Sequence, residues 1–109
     1  MKYGNRKTVI DGVAFDSKAE AERYAELKLL ERAGIIRDLQ LQPKFPLIPT
    51  FRKNGKTFRG ITYVADFAYT ENGRKVVEDV KGFKTEVYKI KRKLFEYTYR
   101  DITLTEVQR

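Results

Sequence analysis

The stretch Tyr63-Val64-Ala65-Asp66-Phe67-Ala68-Tyr69-Thr70-Glu71-Asn72-Gly73-Arg74-Lys75-Val76-Val77-Glu78-Asp79-Val80-Lys81-Gly82 decides how this chain folds. Gly60 to Tyr69 and Lys75 to Lys81 are rich in β-branched and aromatic residues, which favour extended backbone. Glu71-Asn72-Gly73 between them makes a hairpin turn, and Gly82 breaks the chain after the second strand. With the turn centred near Asn72-Gly73, residues pair when their numbers sum to about 145, which sets Asp66 opposite Asp79. Side chains alternate along a strand, so Asp79 and Lys81 share one face while Val76, Glu78 and Val80 share the other. Asp66 is a lone charge among apolar neighbours and needs a cation or hydrogen-bond donors if it is buried. Two carboxylates facing each other across adjacent strands repel unless something positive lies between them.

Working outward, Lys7 to Ile10 and Val13 to Phe15 flank Asp11-Gly12 and read as a short N-terminal hairpin. A helix follows from Ser17 to Ala33, capped by Asp16 or Ser17 and ended by Gly34. Ile36 to Ile48 is extended, and Pro43, Pro46 and Pro49 imply an edge or bent strand. Phe51 to Arg59 is a basic turn region around Asn54-Gly55. Beyond Gly82, Thr85 to Tyr99 reads as a second helix with Val87, Ile90, Leu94 and Tyr97 on one face. Ile102 to Val107 alternates as a last strand. The order helix, three strands, helix, strand is an α+β or mixed α/β layout, with helices flanking a small mixed sheet.

A chain of 109 residues has room for one domain and one modest core. Its 23 Lys+Arg against 15 Asp+Glu leave a net charge of +8. That excess favours a polyanionic partner, nucleic acid ahead of an anionic membrane surface. The absence of cysteine removes disulfides, zinc-thiolate sites and cysteine nucleophiles. The absence of histidine removes histidine-metal nucleases, Ser-His-Asp hydrolases and any histidine general base. A metal would therefore sit on oxygen ligands, which suits Mg²⁺ or Mn²⁺. Met1 to Lys7 is polar and basic, and no apolar run approaches the roughly 20 residues of a membrane span. The chain reads as cytoplasmic, with no membrane partner.

Asp66, Asp79 and Lys81 suit phosphodiester hydrolysis. A metal held by two carboxylates polarises a phosphate and acidifies an attacking water. Lys81 can orient that water or stabilise the charge that develops on phosphorus. Asp66, a hairpin turn and then Asp79-x-Lys81 resemble the signature of the PD-(D/E)xK nuclease superfamily, with Ala65 in place of the proline of the family's namesake motif. Phe15-Asp16-Ser17-Lys18-Ala19-Glu20-Ala21-Glu22, Leu41-Gln42-Pro43-Lys44-Phe45, Tyr63 to Phe67 and Glu78 to Gly82 resemble, in that order, a family of small phage- and prophage-encoded proteins with this nuclease core. The resemblance implies a restriction-endonuclease-like core and a metal-dependent DNA endonuclease in the host cytoplasm. It implies branched or recombining DNA as substrate, as for Holliday-junction resolvases. It also implies an acid from the first helix, Glu20, joining Asp66 and Asp79 as metal ligands beside Lys81. Glu20 shares a face with Tyr24 and Leu27. Ser17-x-x-Glu20 is equally a capping box, and both readings can hold.

Other candidates are weaker. Gln42 faces the site from a neighbouring strand or is an ordinary strand amide. Lys84, Tyr88, Lys91 and Phe95 form a helical stripe, with Lys89, Arg92 and Lys93 nearby, that could grip phosphates and stack on a base, or could be a solvated helix face. Arg52, Lys53 and Lys56 are a second basic candidate. One site in so small a protomer implies a homodimer if both strands are cut. The rival reading is a catalytically inactive DNA-binding module on the same fold. A scaffold for another phage protein leaves the acids unexplained.

Overall fold

The computed structural model describes residues 7–108. Met1 to Arg6, most of the basic N-terminal segment read above, lies outside the described residues. A hairpin of β1 (Thr8–Ile10) and β2 (Val13–Phe15) leads into α1 (Lys18–Arg32) and β3 (Arg37–Leu41). A long bent hairpin follows. Its outward strands are β4 (Lys44–Ile48) and β5 (Phe51–Lys53), and it returns through β6 (Lys56–Phe58) and β7 (Ile61–Val64). β8 (Phe67–Glu71) and β9 (Arg74–Lys81) are the central hairpin, and α2 (Glu86–Thr98) crosses over to β10 (Thr103–Gln108).

The main sheet runs β10-β9-β8-β3. β9 and β10 are parallel and the other pairs antiparallel, so the sheet is mixed and the fold α+β. Parallel neighbours need a crossover, which α2 supplies. Phe67 faces Glu78 across the central hairpin, and Asp66 N–H donates to the Glu78 carbonyl at 3.1 Å. The pairing rule drawn from Asn72-Gly73 therefore holds up to Asp66. One sheet face buries Phe67 and Tyr69 against Phe15, Tyr24 and Leu27 on the α1 side. The other buries Ala68, Val77 and Leu104 with Phe45, Tyr63 and Phe95 on the α2 side. Among the described residues no helix is long and apolar enough to cross a membrane.

Three expectations are corrected. The single strand from Gly60 to Tyr69 is broken at Ala65-Asp66, because β7 pairs with β4 while β8 pairs with β3 and β9. Ala65 N–H donates to the Pro43 carbonyl at 3.1 Å and Gln42 N–H to the Asp66 carbonyl at 2.9 Å, so both chains change partners at the same level. The run Ile36 to Ile48 accordingly splits at Gln42-Pro43, with Gln42 in left-handed backbone (φ 50°).

The third correction concerns α2. Tyr88 and Phe95, read as part of a DNA-facing stripe, are buried, while Val87, Ile90 and Tyr97, read as sharing one face, are 62%, 60% and 70% exposed. Phe95 finds ring partners in Phe45 (5.1 Å, edge-on) and Tyr63 (5.6 Å). Tyr88 and Phe95 thus cannot offer the exposed stacking surface that the basic-aromatic stripe suggested.

Of the two caps expected for the first helix, Asp16 or Ser17, the structure uses Ser17, and Thr85 caps the second helix. Ser17 Oγ accepts the Glu20 N–H at 3.1 Å, and Thr85 Oγ1 accepts the Tyr88 N–H at 3.0 Å. Ser17→Ala is expected to lower stability by about 1 kcal/mol in urea denaturation, without changing the cooperativity of unfolding.

Candidate active site around Asp79 and Lys81

β9 carries Asp79 into the interior, where its side chain is 3% exposed. Asp79 Oδ1 lies 3.5 Å from Lys81 Nζ, and Asp79 Oδ2 is buried with no hydrogen-bond partner. Lys81 is braced on its other side by the Tyr88 ring, with Nζ 4.1 Å from the centroid. Asp66, at the break between β7 and β8, sits opposite Asp79 but turns to another partner: its Oδ2 accepts the Val80 N–H at 2.7 Å. Burial pushes the Asp66 carboxyl up, against the Val80 hydrogen bond and the Lys81 charge. Burial likewise pushes Asp79 up to about 6, in spite of Lys81.

α1 brings Glu20 to this group from a different element. Half-burial and then the charges of Asp66, Asp16 and Asp79 raise its pKa to about 7. Only the backbone of Glu20 takes part in the cap. Its carboxylate accepts no hydrogen bond from the described residues, so the capping box is half made. Glu20, Asp16, Lys81 and Phe83 line a cavity of about 430 Å³. Phe83, 83% exposed at its rim, was not singled out by sequence. A larger trough of about 650 Å³ lies on the opposite sheet face, between Arg23, Tyr69 and Glu78 and the bare side of β10. It faces away from Asp79, and its buried carboxylate, Glu78, is already paired. Arg23 donates to both Glu78 oxygens at 2.8 and 2.6 Å, and Tyr69 OH donates to the same carboxylate.

Glu106 is the site residue that sequence reasoning missed. It faces Asp79 in the β9–β10 register. Its carboxylate takes Lys84 (2.8 Å), Arg92 (2.8 Å) and the Tyr88 hydroxyl (2.7 Å). Those partners, Lys84 first, hold its pKa down at about 2. The alternation of β10, with Leu104 inward, was the signal that a lone acid two residues on shares the buried face. Glu106 therefore occupies Lys84 and Arg92, two of the proposed phosphate-binding residues, and orients the ring that braces Lys81. Lys91 is half-buried beside Ile61 and Ile90. Gln42 is exposed and reaches Asp66 through its backbone. Arg52 and Lys53 lie on the β5–β6 hairpin.

The donor set is all oxygen. It includes one orphaned buried carboxylate oxygen and three carboxyls that burial makes reluctant to ionise, a combination that a hard divalent cation would relieve. Among the described residues no three acids gather at metal-holding spacing. Asp79, Asp66 and Glu20 are thus suitable ligands but not a preformed cage. A pH signature follows. Glu20 and Asp79 have folded pKa values above their unfolded ones, so the metal-free protein is favoured below about pH 4 and loses that contribution as pH rises through about 6 to 7. Glu106, shifted downward, acts in the opposite sense but only below about pH 4.5. Metal-free urea denaturation is expected to show stability falling between pH 4.5 and 7, and the slope flattening in Glu20→Gln/Asp79→Asn.

A search of curated proteins finds no match. The solved structure described as "Crystal structure of SSO0001" is similar over 81% of this chain and 45% of that one, at 12% identity and a TM-score of 0.42. The chain thus spans less than half of that protein's length. A family model described as "Protein of unknown function (DUF1064)" matches residues 1–109, and the chain belongs to this family.

Proposed function

We propose that the chain is a Mg²⁺- or Mn²⁺-dependent DNA endonuclease of the PD-(D/E)xK kind, on a restriction-endonuclease-like core. The observation that carries the reading is the unpartnered, buried Asp79 Oδ2 beside Lys81. Leaving such an oxygen unsatisfied costs about 1–3 kcal/mol, a burden that function explains and folding does not. Asp79, Asp66 and Glu20 would hold the cation, which supplies a polarised phosphate and a more acidic water. Lys81, wedged between Asp79 and the Tyr88 ring, keeps its ammonium at the mouth of the site, where it can orient the nucleophile or meet charge developing on the phosphate. The Val80 N–H holds the Asp66 carboxylate in a fixed orientation. Branched or recombining DNA in a bacterial host's cytoplasm, cut by a homodimer, is the setting the sequence resemblance supports. It rests on analogy.

The second reading is a DNA-binding module without catalysis. It is favoured by the lack of three converging acids among the described residues. The discriminating experiment offers an end-labelled four-way junction, flap, single strand and linear duplex in Mg²⁺, Mn²⁺ or EDTA. Cutting in metal alone, abolished in Asp79→Ala, supports the nuclease. Binding without cutting in either metal supports the module. Cutting that persists in EDTA or in Asp79→Ala removes Asp79 from the chemistry.

A further inference from the structure

The charge of this protein is unevenly neutralised. Around α2, Lys84 and Arg92 pair with Glu106, Lys89 with Glu86, and Arg92 also with Glu96, while Lys91 and Lys93 form no ion pair with a carboxylate among the described residues. Between Thr50 and Gly60 the chain carries Arg52, Lys53, Lys56 and Arg59 and no acid. None of the four forms an ion pair with a carboxylate among the described residues. Arg52, Lys53 and Lys56 sit on the β5–β6 hairpin and Arg59 directly follows it, and every residue from Phe51 to Arg59 is exposed.

This hairpin is an ordered ribbon. Asn54 and Gly55 both take left-handed backbone (φ 54° and 73°), the geometry of a tight two-residue turn. Phe51 and Phe58 stack across the strands at 5.1 Å and 12°. Arg52 donates to Thr57 Oγ1 at 2.6 Å and to the Gly55 carbonyl at 3.1 Å, neutral acceptors that fix the guanidinium without cancelling its charge. Strand partners share a face, so Lys53 and Lys56 lie with the phenylalanines, and Arg52 and Thr57 lie on the other face. Cations thus project from both sides of the ribbon. Its root is rigid as well: a Cβ on Gly60 would stand 2.4 Å from the Ile48 carbonyl oxygen, and Gly60 N–H donates to Thr50 Oγ1 at 2.9 Å. The returning strand β7 then runs directly into Ala65 and Asp66.

We propose that the β5–β6 ribbon seats the protein in the major groove of double-stranded DNA, with Lys53, Lys56, Arg52 and Arg59 on the flanking phosphates. Three residues per strand reach about 10 Å, and the B-form major groove, about 12 Å wide and 8.5 Å deep, admits a two-stranded ribbon. The narrow major groove of duplex RNA does not. A ribbon seated this way carries the Asp66 end of β7 toward the sugar-phosphate backbone. That consequence rests on the nuclease reading; the binding does not.

The test is fluorescence anisotropy of the full chain with a short labelled duplex in EDTA, across a salt series. Lys53→Gln/Lys56→Gln/Arg59→Gln leaves the Arg52 bonds and the Phe51–Phe58 stack in place. It is expected to weaken duplex binding at least tenfold and to lower the slope of log affinity against log salt by about 2 to 3. Arg32→Gln/Arg74→Gln/Arg100→Gln removes the same charge from exposed positions elsewhere and is expected to change both far less. Equal losses in the two variants, an unchanged ribbon variant, or duplex RNA or single-stranded DNA bound as tightly as duplex DNA would each overturn the proposal. Thermal unfolding confirms that both variants are folded. Ribbon-dependent binding by a wild-type chain that never cuts in metal defeats the nuclease reading alone. A ribbon variant that binds and cuts like wild type defeats the ribbon alone.

Discussion

Asp79→Asn is expected to reduce metal-dependent DNA cleavage by on the order of 10³-fold while leaving the metal-free protein at least as stable as wild type. The two effects share one cause. The Asp79 carboxylate is nearly inaccessible, one oxygen has no partner, and burial raises its pKa to about 6. Ionising it at neutral pH therefore costs folding energy, and an amide of the same shape avoids that cost. The same change removes the charge that would attract a divalent cation and that holds Lys81 Nζ at 3.5 Å. Lys81→Met should lower cleavage by about 10²- to 10³-fold, because it removes a charge facing the transition state but no metal ligand. The measurements are single-turnover cleavage of the preferred substrate and urea denaturation in EDTA. A loss of activity that tracks a loss of stability would make Asp79 a structural acid. Opposite movements mark a residue retained for function at the expense of folding.

Arg23→Ala is expected to destabilise the fold by about 3–5 kcal/mol, the larger stability effect predicted for this protein. Glu78, on the α1 face of β9, is 1% exposed, and the Arg23 fork holds both its oxygens at 2.8 and 2.6 Å. Truncating Arg23 leaves that carboxylate buried with the Tyr69 hydroxyl as its remaining donor. The loss should fall toward the lower end of the range, because the Arg23 side chain keeps 21% of its surface in water. Arg23→Met with Glu78→Leu should recover much of it, since apolar side chains of similar volume need no compensation there. Urea denaturation of the two single variants and the double forms a cycle that reads the coupling directly. Glu78 points away from Asp79 and Lys81, so cleavage per folded molecule should be unchanged. A loss of cleavage in the folded double variant would show that the two sheet faces are coupled.

These two neighbours, Glu78 and Asp79, show how much of the molecule can be read without coordinates. Alternation along a strand separates them onto opposite faces, and the Asn72-Gly73 turn aligns Asp79 with Asp66. The cap at Ser17 and the order of helices and strands are equally local, because short-range sterics and backbone hydrogen bonds set them. Sequence also marked Asp66 as a charge needing compensation, since its apolar neighbours are visible in one dimension, whereas Glu20 was implied by the family resemblance. It misjudged what depends on elements distant in the chain. The inward face of α2 turned on whether Tyr88 and Phe95 find rings from β4 and β7, which periodicity alone does not show. Lys84 and Arg92 seemed free for phosphate because their partner, Glu106, arrives only when β10 lies parallel to β9. The break at Asp66 comes from two hairpins exchanging partners, which neither sequence run encodes. Pattern determined which residues share a face. Tertiary structure decided which face is covered and which charges remain unneutralised, because burial and electrostatic pairing depend on distances that chain order does not contain.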